Sequence, residues 1–371
     1  MIRYLRLLAL LAGVLPVLPA WAQDPVFSQF MTNKLYLNPA YIGFDEGMVV
    51  NSSWREQYPK IGGIQTKFTT RHIGASLAVP KLQSGFMVQY FDHVEGAGNL
   101  QWQSVGIGYG WRNRQCGQTA YTHERHELNL GLRGSYNWFG INPAGFVFSD
   151  QLDAIFGAVL PQGIPPDMLA GFEDSYLDLD VGAMLESRLG TLRDGPWWQN
   201  GVTLSHVPRV DMAPRNTSDE KPFRLTYHTA LLKKTRFGIN HPQTMYIVPM
   251  YRLELQPATA LRGTVDGNFW HSSHQLGLVF DLESAPGIWG GIWYQGGYNP
   301  LNARNTNSLI VAGGVSADIW QIGISHDYNY SGLRSNSGGT WEFTLNLVFP
   351  GLRSGECGYR TPHPRIKCPV F

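Results

Sequence analysis

Thr340-Trp341-Glu342-Phe343-Thr344-Leu345-Asn346-Leu347-Val348-Phe349, close to the end of the chain, alternates with a period of two. In an extended chain Trp341, Phe343, Leu345, Leu347 and Phe349 share one face, and Thr340, Glu342, Thr344 and Asn346 share the other. A strand of this kind fits between lipid on one side and a wet lumen on the other. The same pattern recurs upstream. Val105, Ile107, Tyr109 and Trp111 alternate with Ser104, Gly106, Gly108 and Gly110. Leu128, Leu130 and Leu132 oppose Asn129, Arg133 and Ser135, and Leu177, Leu179, Val181, Ala183 and Leu185 oppose Asp178, Asp180, Gly182 and Glu186.

Weaker segments of the same type are Met48 to Gln57, Gln65 to Val79, Gly85 to His93, Gly201 to Pro208, Arg224 to Phe237, Met245 to Leu255, Gln275 to Leu282, Ile288 to Gly296, Ser308 to Ala317 and Trp320 to Asn329. Turn formers such as Asn299-Pro300, the stretch Ser335 to Gly339 and the stretch Asp211 to Pro222 separate them. A strand plus its connection takes about 25 residues, so the pattern predicts an all-β, up-and-down antiparallel transmembrane barrel of about 14 strands, with 12 to 16 compatible.

Composition points the same way. Of 371 residues only 15% are charged and 13% are aromatic, and there are 42 Gly. Mean hydropathy is −0.19, because lipid-facing and lumen-facing side chains cancel. After the first twenty residues no apolar run approaches the roughly 20 that a spanning helix needs, which excludes a helical membrane bundle. Lys and Arg total 29 against 28 Asp and Glu, so nothing in the bulk charge favours nucleic acid as a partner.

Met1 to Ala22 carries Arg3 and Arg6, an apolar stretch from Leu7 to Leu18, and the small-residue triplet Ala20-Trp21-Ala22. This is the pattern of a secretory signal peptide cleaved after Ala22, leaving Gln23 as the mature N-terminus. No cysteine follows the site, so a lipid anchor is not expected. The domain reading is then a signal peptide (1–22), an N-terminal periplasmic segment (23–46), an outer-membrane barrel (47–349) and a periplasmic tail (350–371). In that tail Cys357 and Cys368 are spaced to close a small disulfide loop in an oxidising compartment, with Cys116 left free.

Motifs of catalysis and cofactor binding are weak. Gly106-x-Gly108-x-Gly110 has a spacing of two and no following helix, so it makes room for neighbours on a strand's lumen face rather than cradling a nucleotide. The histidines of His123-Glu124-Arg125-His126 are three apart, where a zincin helix needs four. His271 and His274 lie around Ser272 and Ser273 without a Gly-x-Ser-x-Gly turn. Asp178, Asp180 and Glu186 share a lumen face, where arginines such as Arg133 on adjacent strands are the expected partners. No metal, cofactor or catalytic residue is expected.

Two segments carry more than composition. Gln23-Asp24-Pro25-Val26-Phe27-Ser28-Gln29-Phe30-Met31 is followed by Leu35-Tyr36-Leu37-Asn38-Pro39-Ala40-Tyr41-Ile42-Gly43. Towards the other end come Ser325-His326-Asp327-Tyr328-Asn329, Ser331-Gly332-Leu333, the closing strand, and Lys367-Cys368-Pro369-Val370-Phe371. Together these resemble the PorP/SprF family of type IX secretion system membrane proteins, with its QDPxFSQ and YLNPAxxG openings, its SYDYNxSxL segment and its KCPxF ending. His326 stands where the family usually has tyrosine. The resemblance implies a non-enzymatic outer-membrane barrel of the secretion and gliding apparatus. Its partners would be type IX subunits, secreted cargo with a C-terminal sorting domain, and a periplasmic protein linked to peptidoglycan.

The segment Gln23 to Gly43 is aromatic, amide-rich and too irregular for a strand. Left free it would expose apolar surface, so it is expected to pack into the barrel mouth or to dock on a partner. The partner-binding candidates are Phe27, Phe30, Tyr36, Asn38, Pro39 and Tyr41, together with Arg353, Arg365 and Lys367 of the basic tail. A channel or porin for small solutes is the alternative, since lumen-side glycines would allow an open pore; an outer-membrane lipid enzyme lacks a catalytic constellation.

Overall fold

The structure, a computed structural model, describes residues 25–45 and 47–350, apart from 61–66, 97–99, 114–124, 142–151, 154–156, 159–172, 190–194, 208–209, 212–219, 239–242, 259–268, 285, 299–305, 318 and 331–336. Cys116, His123, Glu124 and the whole tail, with Cys357, Cys368, Arg353, Arg365 and Lys367, fall outside the described residues, as does the leader.

Fourteen strands form the barrel: β1 (Gly47–Gln57), β2 (Lys67–Val79), β3 (Ser84–Gly96), β4 (Leu100–Arg112), β5 (Arg125–Ile141), β6 (Glu173–Arg188), β7 (Trp197–Ser205), β8 (Arg224–Phe237), β9 (Gln243–Ala258), β10 (Phe269–Leu282), β11 (Gly287–Tyr298), β12 (Thr306–Ser316), β13 (Trp320–Asn329) and β14 (Thr340–Pro350). Each pairs antiparallel with its sequence neighbours. Closure comes from β1 against β14, in register from Gly47 opposite Pro350 to Gln57 opposite Thr340. No edge is left to present unpaired backbone to lipid, which is what a sheet needs to span a bilayer. Two further two-stranded ribbons, Leu152–Asp153 with Gly157–Ala158 and Val210–Asp211 with Glu220–Lys221, lie outside the barrel sheet.

The facing read from alternation holds. In β14, Trp341, Phe343, Leu345 and Phe349 are exposed on the outer surface, while Glu342 is fully buried and Thr344 and Asn346 nearly so. Leu128, Leu130 and Leu132 of β5 also point outward, and Asn129, Arg133 and Ser135 inward. The exposed apolar side chains form the belt that a bilayer covers.

At the end of the barrel where Gly47 enters and Pro350 leaves, the connections are 80–83, 113–124, 189–196, 238–242, 283–286 and 317–319, none longer than the 12 residues of 113–124. At the opposite end lie the longest ones, 142–172 and 206–223.

The lumen differs from the uniformly wet interior that alternation alone predicts. Ala230, Leu232, Tyr246, Val248, Met250, Val279, Trp289, Trp293, Ile310 and Ala312, on strands β8 to β12, form an apolar inner wall. Against it packs the N-terminal segment, contributing Phe30, Met31, Leu35, Leu37, Ala40, Tyr41 and Ile42 to one continuous core. Period-two patterning separates the two faces of a strand but does not require the inner face to be polar. Where a strand is covered on both sides, apolar residues fall on both.

Candidate functional site

The N-terminal segment is a plug. It runs from Pro25, beside residues near the long-connection end, down to Gly43 and Phe44 at the end where β1 begins. Its regular structure is one turn of helix, α1 (Lys34–Leu37), and a 3-10 turn at Pro39–Tyr41. Asn38 sits between them with extended backbone, and its Oδ1 accepts from the Ala40 N–H at 2.8 Å. Pro39 follows at the first position of the turn, where its missing N–H costs nothing. The Asn-Pro-Ala sequence is thus a cap and start signal for a turn too short to stand alone, held by the wall around it.

Two clusters fix the plug. At the upper one, the backbone N–H groups of Ser28 and Gln29 donate to the two oxygens of Glu342, at 2.6 and 3.0 Å. The Ser28 hydroxyl donates to Asp327 at 2.6 Å, and its carbonyl accepts from Gln275 at 2.7 Å. Gln29 reaches the Glu342 carbonyl and the Ser325 hydroxyl with its amide nitrogen, and its amide oxygen accepts from Thr344 at 3.1 Å. Arg55 stands 3.9 Å from Asp327 and 4.0 Å from Glu342, so the two buried carboxylates share a cation. Arg252, also buried, donates to the Phe27 carbonyl at 3.4 Å and lies over the Phe30 ring.

At the lower cluster, Arg133 is bound to Asp180 at 2.6 Å, the pairing expected for a lumen-facing acid on an adjacent strand. The same guanidinium donates to the carbonyls of Leu35 and Tyr36 at 2.8 and 3.1 Å. It closes the C-terminal end of α1, where carbonyls lack helical partners. The Asn38 side-chain nitrogen donates to the carbonyls of Ala183 and Val202, and Thr203 donates to that of Leu37. Tyr41 stacks on His228 at 5.6 Å and its hydroxyl reaches Gln199. Arg112, bonded to Glu127, donates to the Phe44 carbonyl at 2.7 Å where the plug leaves the lumen.

The glycines complete the seat. A Cβ on Gly110 would meet Ile42, one on Gly131 would meet Pro39, and one on Gly182 would meet Asn38 and Pro39. Gly85 and Gly43 touch backbone to backbone, and Gly43 has a φ of +70°. The glycine alternation in β4 thus makes room for neighbours, as expected, but those neighbours include the plug.

The structure therefore brings together Phe27, Phe30, Asn38, Pro39 and Tyr41, all buried, with Tyr36 half-buried and stacked on Phe91. Their surfaces are spent within the chain, so in this arrangement none is open to a partner. Sequence reasoning missed Glu342, Asp327, Arg252 and Gln275 as plug contacts, and Arg55 as the cation beside the two carboxylates. Glu342 was visible as a lumen-facing carboxylate, and Asp327 stood in a quoted motif. No signal tied either to Ser28, which lies about 300 residues away along the chain.

Asp178, Asp180 and His206 offer three ligand atoms close to one another. His206 lies 2.6 Å from Asp178, and Arg133 binds Asp180, so this cluster is a polar network between strands with its carboxylates already partnered. Gln199 bonds Glu186 at 3.3 Å in the same inward row.

A closed, lipid-belted barrel with a plug clamped by buried charge defines the class: an integral outer-membrane β-barrel with a filled lumen. Residues 20–347 match the family described as type IX secretion system membrane protein PorP/SprF. The chain belongs to that family, which makes it a membrane component of a secretion apparatus. No curated protein matches it. Among solved structures it is similar to the CymD monoaromatic hydrocarbon channel, at 10% identity over 89% of this chain and 95% of that one, with a TM-score of 0.43. It is also similar to CdiB from Acinetobacter baumannii, at 10% identity over 82% of this chain and 60% of that one, with a TM-score of 0.40. The Pseudomonas putida toluene transporter TodX aligns at 9% identity over 88% and 93%, with a TM-score of 0.38. Likeness at this level carries no functional argument.

Proposed function

We propose that the protein is a closed outer-membrane anchor of the type IX apparatus. It holds secreted cargo bearing a C-terminal sorting domain and links it to periplasmic subunits, one of them tied to peptidoglycan. The observation that carries this reading is the filled lumen: residues 25 to 44 pack against the apolar wall and are fixed by Glu342, Asp327 and Arg133. A conduit for solutes would need that segment to leave.

Bacterial barrels place short turns in the periplasm and long loops outside. On that rule the end holding Gly47 and Pro350 faces the periplasm, and the tail Gly351 to Phe371 emerges there with Arg353, Arg360, Arg365 and Lys367. These basic groups suit an acidic partner, and a Cys357–Cys368 link would order the loop that presents them. Phe27, Phe30, Tyr36, Asn38, Pro39 and Tyr41 would serve a partner only after withdrawal from the lumen.

The test compares the full chain with one ending at Pro350, both purified from the native outer membrane. Loss of secretion-system subunits from the truncated sample, with loss of cargo from the cell surface, is expected. For Arg365→Ala with Lys367→Ala, co-purification should weaken more as salt rises. Unchanged co-purification and unchanged cargo display after truncation would remove the tail from the proposal. A large, steady conductance of the intact protein in planar bilayers would favour the channel instead.

A further inference from the structure

His228 on β8 is fully buried and lies against the Asn-Pro-Ala turn of the plug. Its Nε2 is 3.1 Å from the Asn38 side-chain nitrogen, and its ring stacks on Tyr41. Other bonds fix which way the Asn38 amide points. Its oxygen accepts from the Ala40 N–H at 2.8 Å, and its nitrogen donates to the carbonyls of Ala183 and Val202 at 3.2 and 3.4 Å. An amide nitrogen can only donate, so Nε2 is an acceptor and the ring is neutral, with its proton on Nδ1. That Nδ1 is itself buried and has no partner among the described residues.

We propose that His228 is an acid-sensitive latch of the lower plug: it holds the Asn-Pro-Ala turn only as a neutral ring, and its protonation releases that turn from its seat. A second proton would sit on Nε2 and meet the Asn38 nitrogen donor against donor. The imidazolium would then be a buried charge with an acceptor on neither nitrogen, the costliest way to hold a cation inside a protein. Asn38 cannot turn its oxygen to the ring without giving up the Ala40 cap and setting that oxygen against two carbonyls.

The groups packed around the ring give it no counter-ion. From β9, directly opposite in register, comes Arg252, a second buried cation, whose partner Glu254 lies 3.8 Å from the guanidinium. Arg224, four residues earlier on β8, is another cation. From β6, Glu186 is bonded to Gln199 of β7. The plug supplies the Tyr41 ring, whose face attracts a cation but accepts no N–H in the plane of the imidazole. On β7 a Cβ at Gly201 would strike the ring, so the wall is closed there as well. A proton that the seated ring cannot hold is held by the released one, and acid therefore shifts the population towards release.

Two features make the device local. The upper clamp at Ser28 and Gln29 rests on Glu342 and Asp327 and not on an imidazole acceptor. His72, the other buried histidine against the plug, faces the Gln89 oxygen at 3.3 Å, so a protonated ring there would keep an acceptor.

The experiment follows amide exchange at Ala40, Tyr41 and Ile42 in the full, folded chain as pH is lowered, with Ser28, Gln29 and the wall strands as references in the same sample. Acid should speed exchange at the turn by about tenfold or more while the references stay protected. His228→Gln keeps a neutral acceptor that no proton converts into a donor, so its turn should stay protected through the same range. His72→Gln should leave the acid response in place. Where His228→Gln fails to fold, Asn38→Asp takes its place: a carboxylate accepts from the protonated ring, so acid should tighten the turn instead of loosening it. An acid response that survives in His228→Gln overturns the proposal. So does a turn that stays protected in the native chain until the wall strands also exchange. None of these outcomes involves a secretion subunit, so failure here leaves the reading of the protein as an anchor untouched, and failure there leaves the latch.

Discussion

Glu342 is fully buried and accepts from two plug N–H groups, and Arg55 compensates its charge. Removing it leaves two buried donors without acceptors, and hydrogen bonds to charged groups are worth about 1.5 to 3 kcal/mol each. Glu342→Ala should therefore release the segment around Ser28 and Gln29. Amide exchange there should rise well above that of the wall strands, and Glu342→Gln should have a smaller effect because one acceptor remains. Unchanged protection at Ser28 and Gln29 would show that apolar packing alone holds the plug. Gly131 and Gly182 make the complementary case from the lower seat. Gly182→Val would drive a side chain into Asn38 and Pro39, and overpacking of this kind costs about 1 to 3 kcal/mol. Protease should then cut within 25–44 in a barrel that still migrates as folded.

At the scale of the strand, alternation predicts that arginine is costly at Leu345 or Leu130 and tolerated at Thr344 or Asn129. The first half stands, since both leucines face lipid, and arginine at mid-depth should cost about 2 to 4 kcal/mol. The second half changes with the plug in view. Thr344 donates to Gln29 and Asn129 is buried, so neither position faces open water. Leu345→Arg should lower the urea midpoint of the barrel, whereas Thr344→Arg should leave it nearly unchanged and loosen the plug. Equal loss of barrel stability from both would overturn the assignment of faces.

For the molecule as a whole, the plug and the wall have to be considered together. A chain lacking residues 25–43 should still close, because β1 and β14 pair along their full length without help from the plug. It should conduct ions where the intact chain does not, since the apolar seat on β8 to β12 and the polar clamps would then face water. Planar bilayer recordings of the two proteins decide this, and equally low conductance would mean that something other than residues 25–43 blocks the lumen.

The sequence alone determined the wall. Each of the fourteen strands is legible in Thr340 to Phe349 and its thirteen counterparts, because alternation is a local property that any extended segment between lipid and an interior must show. It also determined the lumen position of Asp180 and Arg133, since facing follows from parity along a strand. Only the tertiary structure decided what fills the lumen. Ser28 meets Asp327 and Glu342 across about 300 residues, and the Asn-Pro-Ala turn meets glycines on β5, β6 and β7, through contacts that have no period and no fixed spacing. Of the two fates open to the aromatic segment, packing into the barrel or docking on a partner, the fold selects the first for the same reason: burial depends on which surface closes over a segment, and that surface exists only once the barrel has closed.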